Sequence, residues 1–245
     1  MEINKKMRRK VKTHKFYNTG KTGKNIVCQP YEDHSYTFIF CHGLDSSPQI
    51  NVSCLLKTII KSLGENVKCI FPWAPCTRST VMNQDKVNSW FDLQEYDFDN
   101  EGKNWNLEEM QDATQTILDM IDEEAKELEG DYSKIFLGGK SQGCMLSYNV
   151  LQHLEHTIGG LITAIGHPVL IHKDKITEES KKIPIYAFHG KDDDIVSESA
   201  HSNGIKLLTD IGYNIEYEVI EGLGHTTGAA FKAGITQFFQ KIQKQ

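Results

Sequence analysis

The chain has 245 residues, of which 39% are hydrophobic and 24% are charged, and its net charge is −6. This length suits one α/β domain that buries a substantial core. No apolar run approaches the roughly 18–20 residues that cross a bilayer, and no signal-peptide core precedes the domain, so we expect a soluble protein that is neither transmembrane nor secreted. The six cysteines form no C-x-x-C pair and no zinc spacing, which favours a reduced compartment.

Positive charge is concentrated at the N-terminus. Residues 1–24 contain nine Lys or Arg and one acid, about +8, whereas the rest of the chain has 18 basic and 32 acidic residues, or −14. We predict that residues 1–34 form a basic arm next to a domain over residues 35–245, and that residues 1–24 contact an anionic surface or a protein partner. Residues 1–24 lack regular aromatic interleaving, so nucleic-acid binding is not indicated. The expected location is cytoplasmic and peripheral at membranes, or mitochondrial if this segment is a targeting signal.

The first predicted elements of the domain are a strand over residues 36–41, a helix over 48–63 and a strand over 67–71. Residues 72–106 follow with no clear helix or strand period, and they contain all three tryptophans. A loop of this length is usually functional. We therefore predict that Trp90 and Phe91 wall a substrate pocket, with ordinary core packing as the alternative.

Helical periods and apolar runs alternate after this loop. The predicted helices cover residues 107–128, 144–155, 199–209 and 228–242, and the predicted strands cover residues 135–137, 161–166, 183–188 and 215–220. Such alternation predicts an α/β fold with a mostly parallel central sheet and helices on both faces.

A G-x-S-x-G motif, Gly139-Lys140-Ser141-Gln142-Gly143, joins the strand at 135–137 to the next helix. In this motif a sharp turn exposes the serine hydroxyl at the carboxyl edge of a sheet. Gly139 and Gly143 remove side chains where strand and helix crowd each other. The bare motif also fits a glycine-rich turn that occurs by chance.

Two further strand ends supply the partners that a nucleophilic serine needs. One is followed by Asp192-Asp193-Asp194 and the other by Gly224-His225. His225 would take the hydroxyl proton during attack, and one of the three aspartates would orient the imidazole. The developing oxyanion needs two backbone N–H donors, for which Gln142 and Leu44 are the candidates.

Taken together, these segments resemble the acyl-protein thioesterase, carboxylesterase and lysophospholipase family of α/β-hydrolases. The family motifs H-G-L-G-D, G-F-S-Q-G-G, S-W-F-D, H-G-x-x-D-x-x-V and G-x-G-H are matched at residues 42–45, 139–144, 89–92, 189–196 and 222–225. The resemblance implies an α/β-hydrolase fold and a triad of Ser141, His225 and Asp193, because the H-G-x-x-D spacing selects Asp193. It implies no cofactor. No metal is expected either, because His153 and His156 have no third ligand near them in the sequence.

This chain also departs from the family pattern. The second glycine of H-G-L-G-D is missing, Lys140 replaces an aromatic residue, and Cys144 replaces a glycine. The missing glycine predicts a reshaped oxyanion loop.

The leading hypothesis is a serine hydrolase that cleaves acyl esters or thioesters through an acyl-enzyme. The resemblance suggests S-acylated proteins or lysophospholipids as substrates. The alternative is a hydrolase-fold subunit of a larger assembly, bound through the basic arm, with an idle or occluded active site. An intact triad would favour the enzyme, whereas an ordered arm and a buried site mouth at Ser141 would favour the subunit.

Overall fold

The computed structural model describes residues 13–19, 25–95 and 105–244, which form ten strands and six α-helices. The strands are β1 His14–Thr19, β2 Asn25–Pro30, β3 Tyr36–Cys41, β4 Val67–Phe71, β5 Cys76–Ser79, β6 Gln84–Asn88, β7 Ile135–Lys140, β8 Gly160–Ala164, β9 Ile185–Gly190 and β10 Ile215–Ile220. The helices are α1 Pro48–Leu63, α2 Leu107–Glu127, α3 Gln142–Leu151, α4 Glu178–Lys181, α5 Glu198–Ile211 and α6 Gly228–Ile242. No helix in these described segments is long and apolar enough to cross a membrane.

Eight of the strands form one sheet, in the order β1-β2-β4-β3-β7-β8-β9-β10. The six strands from β4 to β10 in this order run parallel, as predicted. β2 is antiparallel to β4, and β1 is antiparallel to β2. The carboxyl ends of β3, β7, β9 and β10 therefore lie along the same edge of the sheet.

Helices cover both faces of this sheet because apolar side chains alternate between the faces along each strand. In β7, Phe136 packs with the apolar residues of α1 and α6, whereas Ile135 and Leu137 pack with those of α2, α3 and α5. The two resulting cores hold the ends of the parallel strands in place.

Most predicted elements agree closely with the structure, but residues 72–106 do not. This segment contains β5 and β6, which pair only with each other in an antiparallel hairpin. Gln84, Asp85 and Lys86 in β6 are exposed, so no apolar alternation marks this strand in the sequence. Residues 96–104 of the predicted loop lie outside the described residues.

Two strands also lie within the segment that was predicted to be a basic arm. Ile26, Val27 and Cys28 of β2 are buried, and the Nε2 of His14 in β1 donates a hydrogen bond to the carbonyl of Val67 at 2.8 Å. The division at residue 35 is therefore corrected, because part of the segment before it completes the sheet. Residues 1–12 and 20–24 lie outside the described residues, so their contact with a partner stays a prediction.

Candidate active site

The G-x-S-x-G motif forms the turn between β7 and α3. Ser141 has φ of 52° and ψ of −122°, a backbone conformation that non-glycine residues rarely adopt. A Cβ on Gly139 would lie 2.1 Å from the carbonyl oxygen of Gly143, and a Cβ on Gly143 would lie 2.5 Å from that of Cys41. Both positions therefore require glycine, and the turn presents the serine at the carboxyl edge of the sheet.

Ser141, His225 and Asp193 are joined by hydrogen bonds. The Nε2 of His225 lies 2.9 Å from the Ser141 Oγ, and its Nδ1 lies 2.8 Å from the Oδ2 of Asp193. Because the carboxylate can only accept, Nδ1 carries the proton and Nε2 is left to accept the serine hydroxyl. The three residues come from the loops after β7, β9 and β10, which the parallel sheet brings together.

Asp193 differs from its two neighbours in the aspartate run. Its side chain is fully buried, whereas Asp192 and Asp194 are exposed. Its Oδ1 accepts hydrogen bonds from the N–H groups of Ile195 and Val196, both at 2.9 Å. Burial acts to raise the pKa of Asp193, but the hydrogen bonds from His225 and these N–H groups outweigh it and hold the pKa below its ordinary value. Of the three aspartates, only Asp193 is placed to orient His225.

The loop after β3 lies against Ser141, since a Cβ on Gly43 would be 3.1 Å from the Ser141 Cβ. His42 is fully buried in this loop, where its Nε2 accepts the N–H of Ala74 at 3.1 Å and its Nδ1 lies 2.7 Å from the Gly43 carbonyl oxygen. These partners require a neutral ring with the proton on Nδ1. Burial agrees with this, because it lowers the pKa of His42 to about 4.

The two candidate oxyanion donors border the same cleft as Ser141 and His225. Gln142 is the first residue of α3, so its N–H is one of those that have no acceptor within the helix. Leu44 lies in the loop braced by His42. Their role as donors stays a prediction.

The cleft beside Ser141 has a volume of about 200 Å³. Its apolar wall consists of Leu44, Met82, Leu93, Met145, Ile195 and Val196. Trp90 and Phe91 do not line it, and they are only 2% and 0% exposed. The predicted pocket role of these two residues is thus corrected to the alternative, a place in the core behind the cleft.

The departures from the family pattern have local accommodations. Asp45, which follows Leu44 where the family motif has glycine, has φ of 50°, in the left-handed region. The side chain of Cys144 packs where a Cβ on Gly166 would lie 2.7 Å from its Sγ, so Gly166 provides the space. Lys140 is partly buried beside Ser141, and burial lowers its pKa.

One group of side chains in the described segments has metal-ligand geometry. It comprises His34, Glu124 and Glu127, whose ligand atoms lie within 4.8 Å of one another. The ammonium of Lys68, however, lies 2.7 Å from the Oε1 of Glu124 and 2.8 Å from the Oε2 of Glu127. Because a lysine already bridges the two carboxylates, we assign this cluster as an ion-pair network and not as a metal site.

The profile of the phospholipase/carboxylesterase family matches residues 22–243. The chain belongs to this family. Its membership in a family of hydrolases confirms the prediction that it is an enzyme of that class, and also the resemblance drawn from the five motifs.

Two curated proteins are among the relatives of this phospholipase/carboxylesterase family member. It is 28% identical to acyl-protein thioesterase 1 homolog 1 of Dictyostelium discoideum over 209 residues, which are 85% of this chain and 91% of that protein. It is 30% identical to carboxylesterase SOBER1 of Arabidopsis thaliana over 194 residues, which are 78% of this chain and 83% of that protein.

The crystal structure of Arabidopsis thaliana SOBER1 superposes with a TM-score of 0.75 and 25% identity, over 85% of this chain and 99% of that one. Together with the mostly parallel sheet, this similarity confirms the α/β-hydrolase fold.

Sequence reasoning missed the buried polar groups that support the site. His42 and the side chain of Gln142 are 0% and 1% exposed, and both make hydrogen bonds to distant segments. The sequence marks them only by their positions in two motifs, His42 in the segment of Leu44 and Gln142 next to Ser141. Their partners could not be read from spacing, because Ala74 is 32 residues from His42 and Phe91 is 51 from Gln142.

Proposed function

We propose that this protein is a serine hydrolase that cleaves acyl esters and thioesters through an acyl-enzyme on Ser141. The observation that carries the proposal is the hydrogen-bonded series from Asp193 through His225 to the hydroxyl of Ser141, a partly exposed residue beside a cleft. Each member has the chemistry its position requires: a nucleophile, a base and a carboxylate that fixes the tautomer of the base.

In the first step the Ser141 Oγ attacks the carbonyl carbon of the substrate while the Nε2 of His225 takes the hydroxyl proton. The tetrahedral oxyanion accepts hydrogen bonds from the N–H groups of Leu44 and Gln142. When the intermediate collapses, the C–O or C–S bond breaks and His225 gives its proton to the leaving alkoxide or thiolate. Asp193 stabilises the imidazolium throughout this step.

In the second step water attacks the acyl-enzyme. His225 takes a proton from the water, and a second tetrahedral intermediate forms at the same oxyanion site. Its collapse releases the carboxylic acid and returns the proton to the Ser141 Oγ. The same residues thus serve both steps, and only the leaving group distinguishes an ester from a thioester.

The names of the relatives support both bond types, since one is an acyl-protein thioesterase and one a carboxylesterase. The cleft adds a limit on the acyl group. Its volume of about 200 Å³ is below the roughly 300–1,000 Å³ of pockets that enclose drug-sized ligands. We infer that short acyl chains fit the cleft and are cleaved with the higher kcat/KM, because the long chains of S-acylated proteins or lysophospholipids extend beyond it.

Labelling with a fluorophosphonate probe, followed by turnover of acetyl, butyryl and palmitoyl thioesters, tests this proposal. We expect covalent labelling of the wild type and none of Ser141→Ala. Ser53→Ala is the matched control, because Ser53 is an exposed serine on α1. Labelling that persists in Ser141→Ala, or folded wild type that does not label, would contradict the proposal. A higher kcat/KM for palmitoyl than for acetyl thioester would contradict the chain-length inference alone.

A further inference from the structure

Residues 89–91 lie directly after β6 and contact both segments that carry the proposed oxyanion donors. Trp90 is 2% exposed, and its indole Nε1–H donates to the carbonyl oxygen of His42 at 2.7 Å. Its main-chain N–H donates to the Oε1 of Gln142 at 3.0 Å. One residue therefore connects the loop of Leu44 to the side chain of Gln142.

The contact with Gln142 has a defined orientation. Because a main-chain N–H can only donate, the amide oxygen of Gln142 must face Trp90 and the Nε2 must point away. The Nε2 donates to the Ser89 Oγ at 2.9 Å and to the Phe91 carbonyl at 2.7 Å. Three consecutive residues thus hold the side chain of Gln142. The main-chain N–H of the same residue is the first proposed donor.

The contact with the loop is equally specific. The carbonyl that accepts the Trp90 indole belongs to His42, two residues before Leu44. On the other side of Leu44, the N–H of Asp45 donates to the carbonyl of Asn88 at 2.9 Å. Residues 88 and 90 therefore fix the loop both before and after the second proposed donor.

Oxyanion stabilisation depends on donors that are already in position when charge develops on the substrate oxygen. A misplacement of about 1 Å can lower the rate by about 100-fold. A residue that is hydrogen-bonded to both donor segments constrains the separation between the N–H groups of Leu44 and Gln142. This separation decides whether both groups can bind one oxygen atom.

We propose that Trp90 is a positioning residue of the oxyanion hole. Its indole holds the Leu44 loop, and its main chain holds Gln142, so that both donors keep a fixed distance from Ser141. This inference rests on the proposed serine-hydrolase function. A core-packing role would be different, because loss of packing would lower the stability of the protein without a specific loss of transition-state stabilisation.

Trp90→Phe tests the inference, because it removes the indole N–H but keeps the main-chain N–H and an aromatic ring. We expect kcat for a soluble short-chain ester to fall about tenfold with KM within about twofold, since a displaced donor acts on the transition state and not on substrate binding. The affinity for a trifluoromethyl ketone, which forms a tetrahedral adduct with the serine, should weaken by a similar factor.

Trp105→Phe is the matched control. Trp105 is also buried, at 4% exposure, and packs on Phe91 with ring centroids 6.0 Å apart, but its Nε1 has no hydrogen-bond partner within the described segments. We expect its kcat to stay near that of the wild type. If Trp90→Phe does not fold, Trp90→3-benzothienylalanine keeps the shape of the side chain and removes only the N–H.

The outcomes separate this inference from the function on which it rests. If the wild type labels and turns over ester but Trp90→Phe keeps its kcat, the inference is overturned and the hydrolase proposal stands. An equal loss in Trp105→Phe would also overturn it, because packing would then explain the effect. Folded wild type that neither labels nor turns over ester would overturn both.

Discussion

The two ends of the parallel strands both carry clusters of polar side chains, but the clusters are completed in different ways. At the amino ends, Lys68 in β4 bridges Glu124 and Glu127 of α2, and the hydroxyl of Thr37 in β3 donates to Glu124 at 2.9 Å. At the carboxyl ends, the series from Asp193 through His225 stops at Ser141, which borders a cleft. In the first cluster each carboxylate is paired with the ammonium of Lys68, whereas the second leaves a reactive group available to a substrate.

Positive φ is more frequent at the carboxyl ends. Ser141 and Ile165 come directly after β7 and β8, and Asp45 lies in the loop after β3; all three have positive φ. At the amino ends of the described parallel strands, Glu129, between α2 and β7, is the one non-glycine residue with positive φ. Such conformations cost on the order of 1–3 kcal/mol each and are common at functional sites. The comparison indicates that buried charge alone does not mark an active site. Strain together with an unfinished hydrogen-bond series does.

The largest effect expected at the carboxyl end is that of Asp193→Asn. An amide can hold His225 in the wrong tautomer and cannot stabilise the imidazolium, so we expect kcat for ester hydrolysis to fall by about 10⁴-fold. Asp192→Asn is the matched control and should be nearly normal, because Asp192 is exposed and the carboxylate that hydrogen-bonds to His225 is that of Asp193. Steady-state kinetics of the purified variants measure this, and equal losses in both would undo the assignment within the aspartate run.

The amino end should respond in stability instead of activity. Lys68→Met leaves the carboxylate of Glu124, which is 5% exposed, without its bridging cation, so we expect a loss of about 3–5 kcal/mol in the free energy of unfolding. Lys241→Met breaks the exposed pair with Glu216 and should cost less than about 1 kcal/mol. Urea unfolding measures both. A Lys68→Met variant as stable as Lys241→Met would show that the cluster contributes little.

The free energy of unfolding should also depend on pH, because burial lowers the pKa values of His42, His167 and His201 to about 4. In the unfolded chain these rings take up protons near their ordinary pKa of 6.5. Between these two values the unfolded state binds more protons, so the free energy of unfolding falls as the pH falls through this window. Each histidine contributes up to about 1.4 kcal/mol per pH unit.

The variant that tests this pH dependence is His201→Gln. Its free energy of unfolding should depend less steeply on pH than that of the wild type, as measured by urea unfolding across the window. If the variant keeps the same slope, then His201 is not a source of the pH dependence.

The sequence predicts the parallel part of the fold well because all of its strands except the edge strand β10 are buried on both faces. The predicted strands 36–41, 67–71 and 215–220 and the helices 48–63 and 228–242 have the bounds seen in the structure. The hairpin of β5 and β6 was missed because its strands pair only with each other and β6 is largely exposed. β1 and β2 were missed because the basic composition around them indicated an arm.

Within the site, motif order identified the three side chains that the structure brings together. It could not reveal what Trp90 contacts, since His42 and Gln142 lie 48 and 52 residues away from it. A tryptophan in a long loop favours a pocket wall as much as a core position. The alternative of an assembly subunit with an occluded site has no support, because Ser141 is partly exposed beside the cleft.

Asp45→Gly has the smallest expected effect and tests the strain at the carboxyl end directly. Asp45 has φ of 50°, which costs a residue with a Cβ about 1–2 kcal/mol, although aspartate tolerates it better than most. Glycine removes this cost, but the greater conformational entropy that it gives the unfolded chain lowers stability by about 0.4–1 kcal/mol. The free energy of unfolding should therefore rise by less than about 1 kcal/mol. The loop keeps its hydrogen bond from the Asp45 N–H to Asn88, and kcat should therefore not change. Asn83→Gly, at φ of 51° in the turn between β5 and β6, is the matched comparison away from Ser141. A gain at Asn83 with a loss of both stability and kcat at Asp45 would show that the Asp45 side chain itself serves the site.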